Sequence, residues 1–166
     1  MNVMKKIKIE KVTLNIGCAA DKEKMQRAQK LLAKISDKKP VATLSHKRST
    51  FGITKRKPIG YKVTLRREKA EKFLIDVLNS ADKKIRMNQI NNGNFSIGVK
   101  EYIDLPEIQY DPDIGIIGFD VAVTLERPGY RVKRKKIGNS KLGKNHAINK
   151  KETIDWIKNL GVSVVE

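Results

Sequence analysis

Acidic residues are missing from two long segments of this chain, although the chain as a whole has 18 of them. From Lys47 to Arg67 there are eight Lys or Arg and no Asp or Glu: Lys47, Arg48, Lys55, Arg56, Lys57, Lys62, Arg66 and Arg67. From Arg127 to Lys151 there are ten more, again without an acid: Arg127, Arg131, Lys133, Arg134, Lys135, Lys136, Lys141, Lys144, Lys150 and Lys151. Outside both segments 18 basic residues face 18 acidic ones, so the formal excess of +18 lies in two stretches. Charge scattered over a surface promotes solubility, whereas charge concentrated in two segments makes a local field that collects a polyanion, with nucleic acid the first candidate.

Other shortages narrow the possibilities. The single cysteine, Cys18, excludes a disulfide framework; following an apolar strand and beside Ala19 and Ala20, it reads as a buried or half-buried thiol in a reducing cytoplasm. Aromatics are 5% of the chain, so the core is aliphatic. No stretch reaches the ~20 apolar residues of a membrane span, and the lysine-rich beginning never supplies the apolar run of a signal peptide. The expectation is a cytoplasmic protein folded as one domain, 1–166, with a basic loop at 45–60 and a basic extension at 127–166.

Reactive constellations are equally scarce. His46 and His146 are the only histidines, and with Cys18 they make no convincing zinc set, so each reads as an RNA contact or an exposed side chain. Residues Gly138 to Asn145 follow a phosphate-loop pattern until Asn145 replaces the hydroxyl that ligates magnesium, and no buried strand precedes them. The acids Glu101, Asp104, Glu107, Asp111 and Asp113 lack the glycine and terminal glutamate of a calcium loop and read as turn acids or partners for Lys and Arg. No nucleophile, base and orienter can be assembled. Neither catalysis nor a metal nor a cofactor is expected.

What is present is periodicity. Val12, Leu14 and Ile16 alternate with Lys11, Thr13 and Asn15, the pattern of a half-buried strand. Asp21 is suited to cap a helix over 22–36, with Met25, Ala28, Leu31, Leu32 and Ile35 in one stripe. Pro40 starts a short extended piece, Val41 to Leu44. After the basic loop, Tyr61, Val63 and Leu65 alternate with Lys62, Thr64 and Arg66, and a helix over 68–81 buries Ala70, Phe73, Leu74, Val77, Leu78 and Ala81. The stretch from Asp82 to Asn94 reads as polar, ending in a tight turn at Asn91 to Asn94. Two further strands put Phe95, Ile97 and Val99, then Phe119, Val121, Val123 and Leu125, on one side. Pro128 and Gly129 end the last strand, and the chain to Lys144 reads as locally unstructured. A final helix follows, capped by Asn149 with Glu152 and striped by Ile154, Ile157 and Leu160.

One-sided strands with amphipathic helices to cover them predict an α+β fold in two layers, a mostly antiparallel open sheet with helices on one face. The opposite face then carries Thr13, Asn15, Lys62, Thr64, Arg66, Asn94, Ser96 and Lys100, and is expected to be free of carboxylates. Such groups suit phosphates, ribose hydroxyls and base edges. Because Tyr61, Phe95 and Phe119 fall on the covered side, splayed single strands are a poor ligand and a folded RNA a better one. A free-standing RNA-binding protein or RNA chaperone and an RNA-modifying enzyme are functions such a surface would serve, and substrate turnover separates them.

Three segments carry a resemblance: VTLNIG (Val12 to Gly17), KPVATLSHKRSTFGITKRKPIGYKVTLR (Lys39 to Arg66) and GNFSIGVKEYIDLPEIQYDPDIGIIGFDV (Gly93 to Val121). In order over nearly the whole chain, they resemble the large-subunit ribosomal protein L-five family, which binds 5S rRNA, and the tail from Arg127 resembles its archaeal and eukaryotic branch. The resemblance implies a structural constituent of the large subunit, in the central protuberance of the cytoplasmic ribosome. Carried over by position, it implies 5S rRNA contacts at Asn15, Thr43, Lys62, Thr64, Arg66 and Asn94, to which the open face adds Thr13 and Ser96. It implies a loop facing peptidyl-site tRNA through Lys47, Arg48, Lys55, Arg56 and Lys57. The implied partners are 5S rRNA, large-subunit rRNA, that tRNA, and neighbouring ribosomal proteins including a small-subunit head protein across an intersubunit bridge.

Overall fold

A computed structural model describes residues 2–19, 21–50, 52–106 and 108–165. The chain divides into two compact units: a terminal unit of residues 1–12, 66–97 and 123–166, and a middle unit of residues 13–65 and 98–122. Six strands, β1 (Lys8–Gly17), β2 (Val41–Leu44), β3 (Pro58–Leu65), β5 (Ile90–Asn91), β6 (Asn94–Val99) and β7 (Phe119–Glu126), form one mostly antiparallel sheet in the order β2-β3-β1-β7-β6-β5. A separate parallel pair joins β4 (Lys84–Arg86) to β8 (Ser163–Val165). The helices are α1 (Lys22–Ser36), α2 (Glu68–Ser80), the single-turn α3 (Arg131–Arg134) and α4 (Lys150–Asn159). The α+β class follows.

In the middle unit α1 begins where expected. Asp21 accepts a hydrogen bond from the Glu23 amide at 3.0 Å, satisfying one of the amides that the first turn leaves open. Its Ala28, Leu31 and Leu32 are fully buried and α1 packs against β3, where Val63 and Leu65 are also buried. Each such aliphatic side chain removed from water contributes about 1.5–3 kcal/mol before conformational entropy is counted. Cys18 is buried here as a reduced thiol, and desolvation, the larger influence, raises its pKa, aided by Asp21.

In the terminal unit α2 buries Ala70, Leu74, Val77 and Leu78 as its period requires; Phe73 and Ala81 are only half-buried. Two strands lie in the stretch expected to be merely polar. Ile85 and Ile90 are 1% and 0% exposed, isolated apolar residues that anchor β4 and β5. Pairing with β8 seventy-nine residues downstream makes β4 a strand, a partner no local pattern reveals. The turn at Asn92 and Gly93 forms as predicted, with Gly93 at φ +72° joining β5 to β6.

The expected stripe of the last helix is corrected. In α4 the buried residues are Thr153 and Ile157, while Ile154 is half-buried and Leu160, just past the helix, is 43% exposed. Thr153 Oγ1 accepts from the Gly93 amide and donates to the Asn149 carbonyl, both at 3.0 Å, and Trp156 packs on Phe95 with ring centroids 6.3 Å apart. These two contacts rotate the helix away from the orientation that aliphatic spacing alone suggests. Its cap is as expected: the Asn149 amide donates to Glu152 at 3.0 Å.

Gly60 in β3 has no room for a side chain, since a Cβ there would lie 2.3 Å from the Ile16 carbonyl oxygen and 3.2 Å from Thr43 Oγ1. Gly60→Ala is expected to lower folding stability by about 1–3 kcal/mol, the scale of overpacking, read as a fall in the urea midpoint; an unchanged midpoint means that β1 and β3 yield freely there.

Candidate nucleic-acid interface

Strand pairing places the middle-unit candidates on one face. Val41 pairs with Lys62 and Thr43 with Gly60, and cross-strand partners point the same way, so Thr43, Lys62 and Thr64 share a face of the β2-β3 hairpin with Val41, which is 60% exposed. Lys62 is exposed and Thr43 and Thr64 are half-buried; on β1, Asn15 is exposed and Thr13 half-buried, opposite in phase to the buried Leu14 and Ile16. Tyr61 lies on the other side and is half-buried.

The basic loop is a continuation of this hairpin. The Ser45 amide donates to the Lys57 carbonyl at 2.9 Å, the Arg56 amide returns to the Ser45 carbonyl at 2.8 Å, and the Ser49 amide reaches Ile53 at 2.9 Å. Lys47, Arg48, Lys55, Arg56 and Lys57 are all exposed, and among the described residues none has an acidic partner. Unneutralised cations on a hydrogen-bonded stem present a directed positive field.

The terminal unit holds Arg66, Asn94 and Ser96, all exposed, but its charges are partly spoken for. Glu10 of β1, whose side chain is 9% exposed, lies 3.8 Å from Arg66 Nη1, which also donates to the Glu10 carbonyl at 3.5 Å. Arg134 of α3 donates through one Nη to Glu10 and through the other to Glu126 of β7. The expectation of a face free of carboxylates is therefore wrong for this unit, because Glu10 and Glu126 lie with Arg66 and Arg134. In the middle unit Asp120 is exposed, 3.7 Å from where a Cβ on Gly98 would lie. The signal was available: the alternation that buries Phe119 to Leu125 leaves Asp120, Thr124 and Glu126 on the other side.

The tail is not unstructured as far as Lys144. Besides α3, a 3-10 turn spans Lys144–His146, and Tyr130 donates to the His146 carbonyl at 3.3 Å and accepts from the Ile148 amide at 2.9 Å. His146 is half-buried and its ring is held in place, not a freely exposed side chain. Its Nε2 is 2.8 Å from the Pro128 carbonyl and its ring meets Tyr130 edge-on at 5.7 Å, while His46 is exposed. Arg127 is a third departure. Its side chain is 6% exposed, with Nη2 donating to Glu152 at 2.7 Å and Nη1 to the His146 carbonyl at 3.2 Å. Tertiary hydrogen bonds order this segment where local propensity does not.

Asp111 and Asp113 behave as turn acids paired with lysines. Lys34 donates to Asp111 at 3.2 Å and lowers its pKa, and Lys30 lies 3.6 Å from Asp113. Glu107 lies outside the described residues. Among those residues no group of three or more His, Cys, Asp or Glu is placed to hold a metal ion, and no helix is long and apolar enough to cross a membrane.

The hydrogen bond from the Asn149 amide, followed by that from Arg127, lowers the pKa of Glu152. A carboxyl with a depressed folded pKa stabilises the fold above its unfolded value, about 4.3, and loses that contribution as pH falls through the folded value. Glu152→Gln should then destabilise at neutral pH by on the order of 1–3 kcal/mol, since the uncharged amide has one acceptor oxygen where the carboxylate gave one to Arg127 and one to the Asn149 amide, and the gap from wild type should close below about pH 4. Urea titrations at pH 7 and pH 3 read this; a gap that is constant with pH rejects the ion pair.

Comparison with known proteins adds an independent line. Residues 2–58 match the family model described as ribosomal protein L5, and residues 58–156 match the model for the C-terminus of that same ribosomal family. The chain is 44% identical to large ribosomal subunit protein uL5 of Methanosphaera stadtmanae, with 99% of both chains covered. It is 46% identical to the uL5 of Nanoarchaeum equitans over 98% of both. For the uL5 of Sulfurisphaera tokodaii the figure is 42%, covering 100% of this chain and 96% of the other.

Proposed function

Because this chain belongs to the ribosomal protein L5 family, and is thus a structural constituent of the large ribosomal subunit in the cytoplasm and not an enzyme, we propose that it holds 5S rRNA on its polar strand faces and reaches peptidyl-site tRNA with the loop at 45–60. The observation that carries this reading is the contrast between two sets of cations. Lys62 and the five loop residues Lys47, Arg48, Lys55, Arg56 and Lys57 are exposed without acidic partners among the described residues, whereas Arg66, Arg127 and Arg134 are held by carboxylates. Free cations bind phosphate with release of counterions, while paired ones contribute mainly to shape.

On the middle unit, Thr13, Asn15, Thr43 and Thr64 add short hydrogen-bonding groups around Lys62, suited to ribose and phosphate oxygens of a folded RNA. On the terminal unit Asn94 and Ser96 offer the same chemistry, and Arg66 orients Glu10 as much as it faces a phosphate. The exposed tail cations, among them Lys133, Lys135, Lys136 and Lys141, extend the field toward large-subunit rRNA. A small-subunit head protein across the intersubunit bridge belongs to the same proposal, as do neighbouring proteins of the large subunit.

Lys62→Ala should weaken 5S rRNA binding by about 1–3 kcal/mol with the fold unchanged, whereas Arg66→Ala should also lower folding stability, because Glu10 loses a partner. Filter-binding titrations beside urea melts check both; full affinity in the Lys62 variant rejects the strand-face assignment. With about 8 phosphates neutralised, log affinity should fall against log salt with a slope near −7. Shortening the loop between Arg48 and Lys57 should spare 5S binding and lower tRNA retention on assembled ribosomes. Equal loss of both would make the loop a 5S anchor.

A further inference from the structure

Within the terminal unit, the tail and the polar side of the strands enclose a cavity of about 310 Å³. We propose that this cavity receives a single unpaired nucleobase of the bound RNA, an inference that rests on the RNA-binding reading above and adds a base-level contact to surfaces otherwise suited to backbone. The strands of this unit offer no stacking partner, since Phe95 is 3% exposed, packed against Trp156. The tail supplies one: Tyr130 is the single aromatic among the lining residues, its ring fixed because its hydroxyl is committed to His146 and Ile148.

The remaining walls match the chemistry of a base. Ile148 is buried and makes an apolar floor, beside Gly93 and Thr124, the latter on the outward side of β7. Asn92 and Asn94 stand at the edge, exposed, with no hydrogen bond from either side-chain amide among the described residues. An amide presents an acceptor and two donors, the complement of a base edge. Arg134 is fixed on Glu10 and Glu126, so it forms wall, and Lys133 is left at the rim for the adjoining phosphate. One rim lysine is too little for a free nucleotide, whose phosphates would need several cations or a nest of amides. A base tethered to RNA already held elsewhere needs no more, because its effective concentration at the cavity is high.

The test uses the full chain, 5S rRNA, and dimethyl sulfate, kethoxal and a carbodiimide, which together report all four unpaired bases. With wild-type protein, an unpaired base should be protected. Leu142→Trp fills the cavity from the tail side, so that base should regain reactivity and affinity should fall about tenfold, the scale of one lost stacking contact. Lys62→Ala should weaken binding without changing the protected set. Asn94→Ala, at an exposed strand position, serves as the second variant, with the same local loss expected even if the tryptophan variant fails to fold. Identical protection patterns for wild type and Asn94→Ala would overturn the inference, as would displacement of the RNA by free nucleoside monophosphates. If 5S rRNA is not bound at all, the RNA assignment has failed instead, and the same proteins probed on large-subunit rRNA decide the cavity by the same two patterns.

Discussion

A strand that buries one side chain must turn the next one outward, and this pleat constraint governs the binding chemistry of the chain. Val12, Leu14 and Ile16 are 0%, 0% and 5% exposed, so Thr13 and Asn15 have no choice of side. The hairpin of β2 and β3 repeats the arrangement, and the register that pairs Thr43 with Gly60 and Val41 with Lys62 brings threonine and lysine onto one face. A slip of one residue would bury Lys62 and expose Val63, exchanging a phosphate contact for an apolar patch. The close approach of Gly60 to the Ile16 carbonyl resists such a slip, since any larger residue in that register collides with backbone.

Charge is organised by a second constraint, the expense of desolvating an ion without a partner. The 9% exposed carboxylate of Glu10 is accompanied by Arg66 and Arg134, and the 6% exposed Arg127 by Glu152 and a carbonyl. These pairings draw cations out of both acid-free segments and use them to hold the tail in place. What remains free is concentrated in the hairpin loop and the outward side of the tail. The chain therefore has two classes of arginine and lysine, one that shapes the protein and one available to an anionic partner, and only the second contributes counterion release on binding.

The tail shows how an irregular segment becomes part of a site. Residues 135–143 have no regular secondary structure, yet Tyr130, Arg134 and His146 on either side are fixed by hydrogen bonds to carbonyls and carboxylates. Backbone groups that neither a helix nor a sheet satisfies find side-chain partners instead. The result is a wall against the strands, with Leu142 and Ala147 on its inner side.

Local pattern in the chain was enough for α1, α2, the cap of α4, the turn at Gly93 and the alternating strands, because each is decided by contacts within a few residues: a side-chain cap, a period of 3.6, a period of 2. It was also enough to place Asn15, Lys62, Thr64, Asn94 and Ser96 away from the buried sides, whereas Thr43 came only from the resemblance. What it left undecided depends on partners far along the chain. The β4 to β8 pair, the rotation of α4 onto Phe95 and Gly93, and the capture of Arg134 by Glu10, 124 residues away, follow from where the backbone brings groups together. An acid-free stretch of sequence is a statement about neighbours in one dimension. Coulomb attraction acts across space, and the folded arrangement alone determined which cations stayed free.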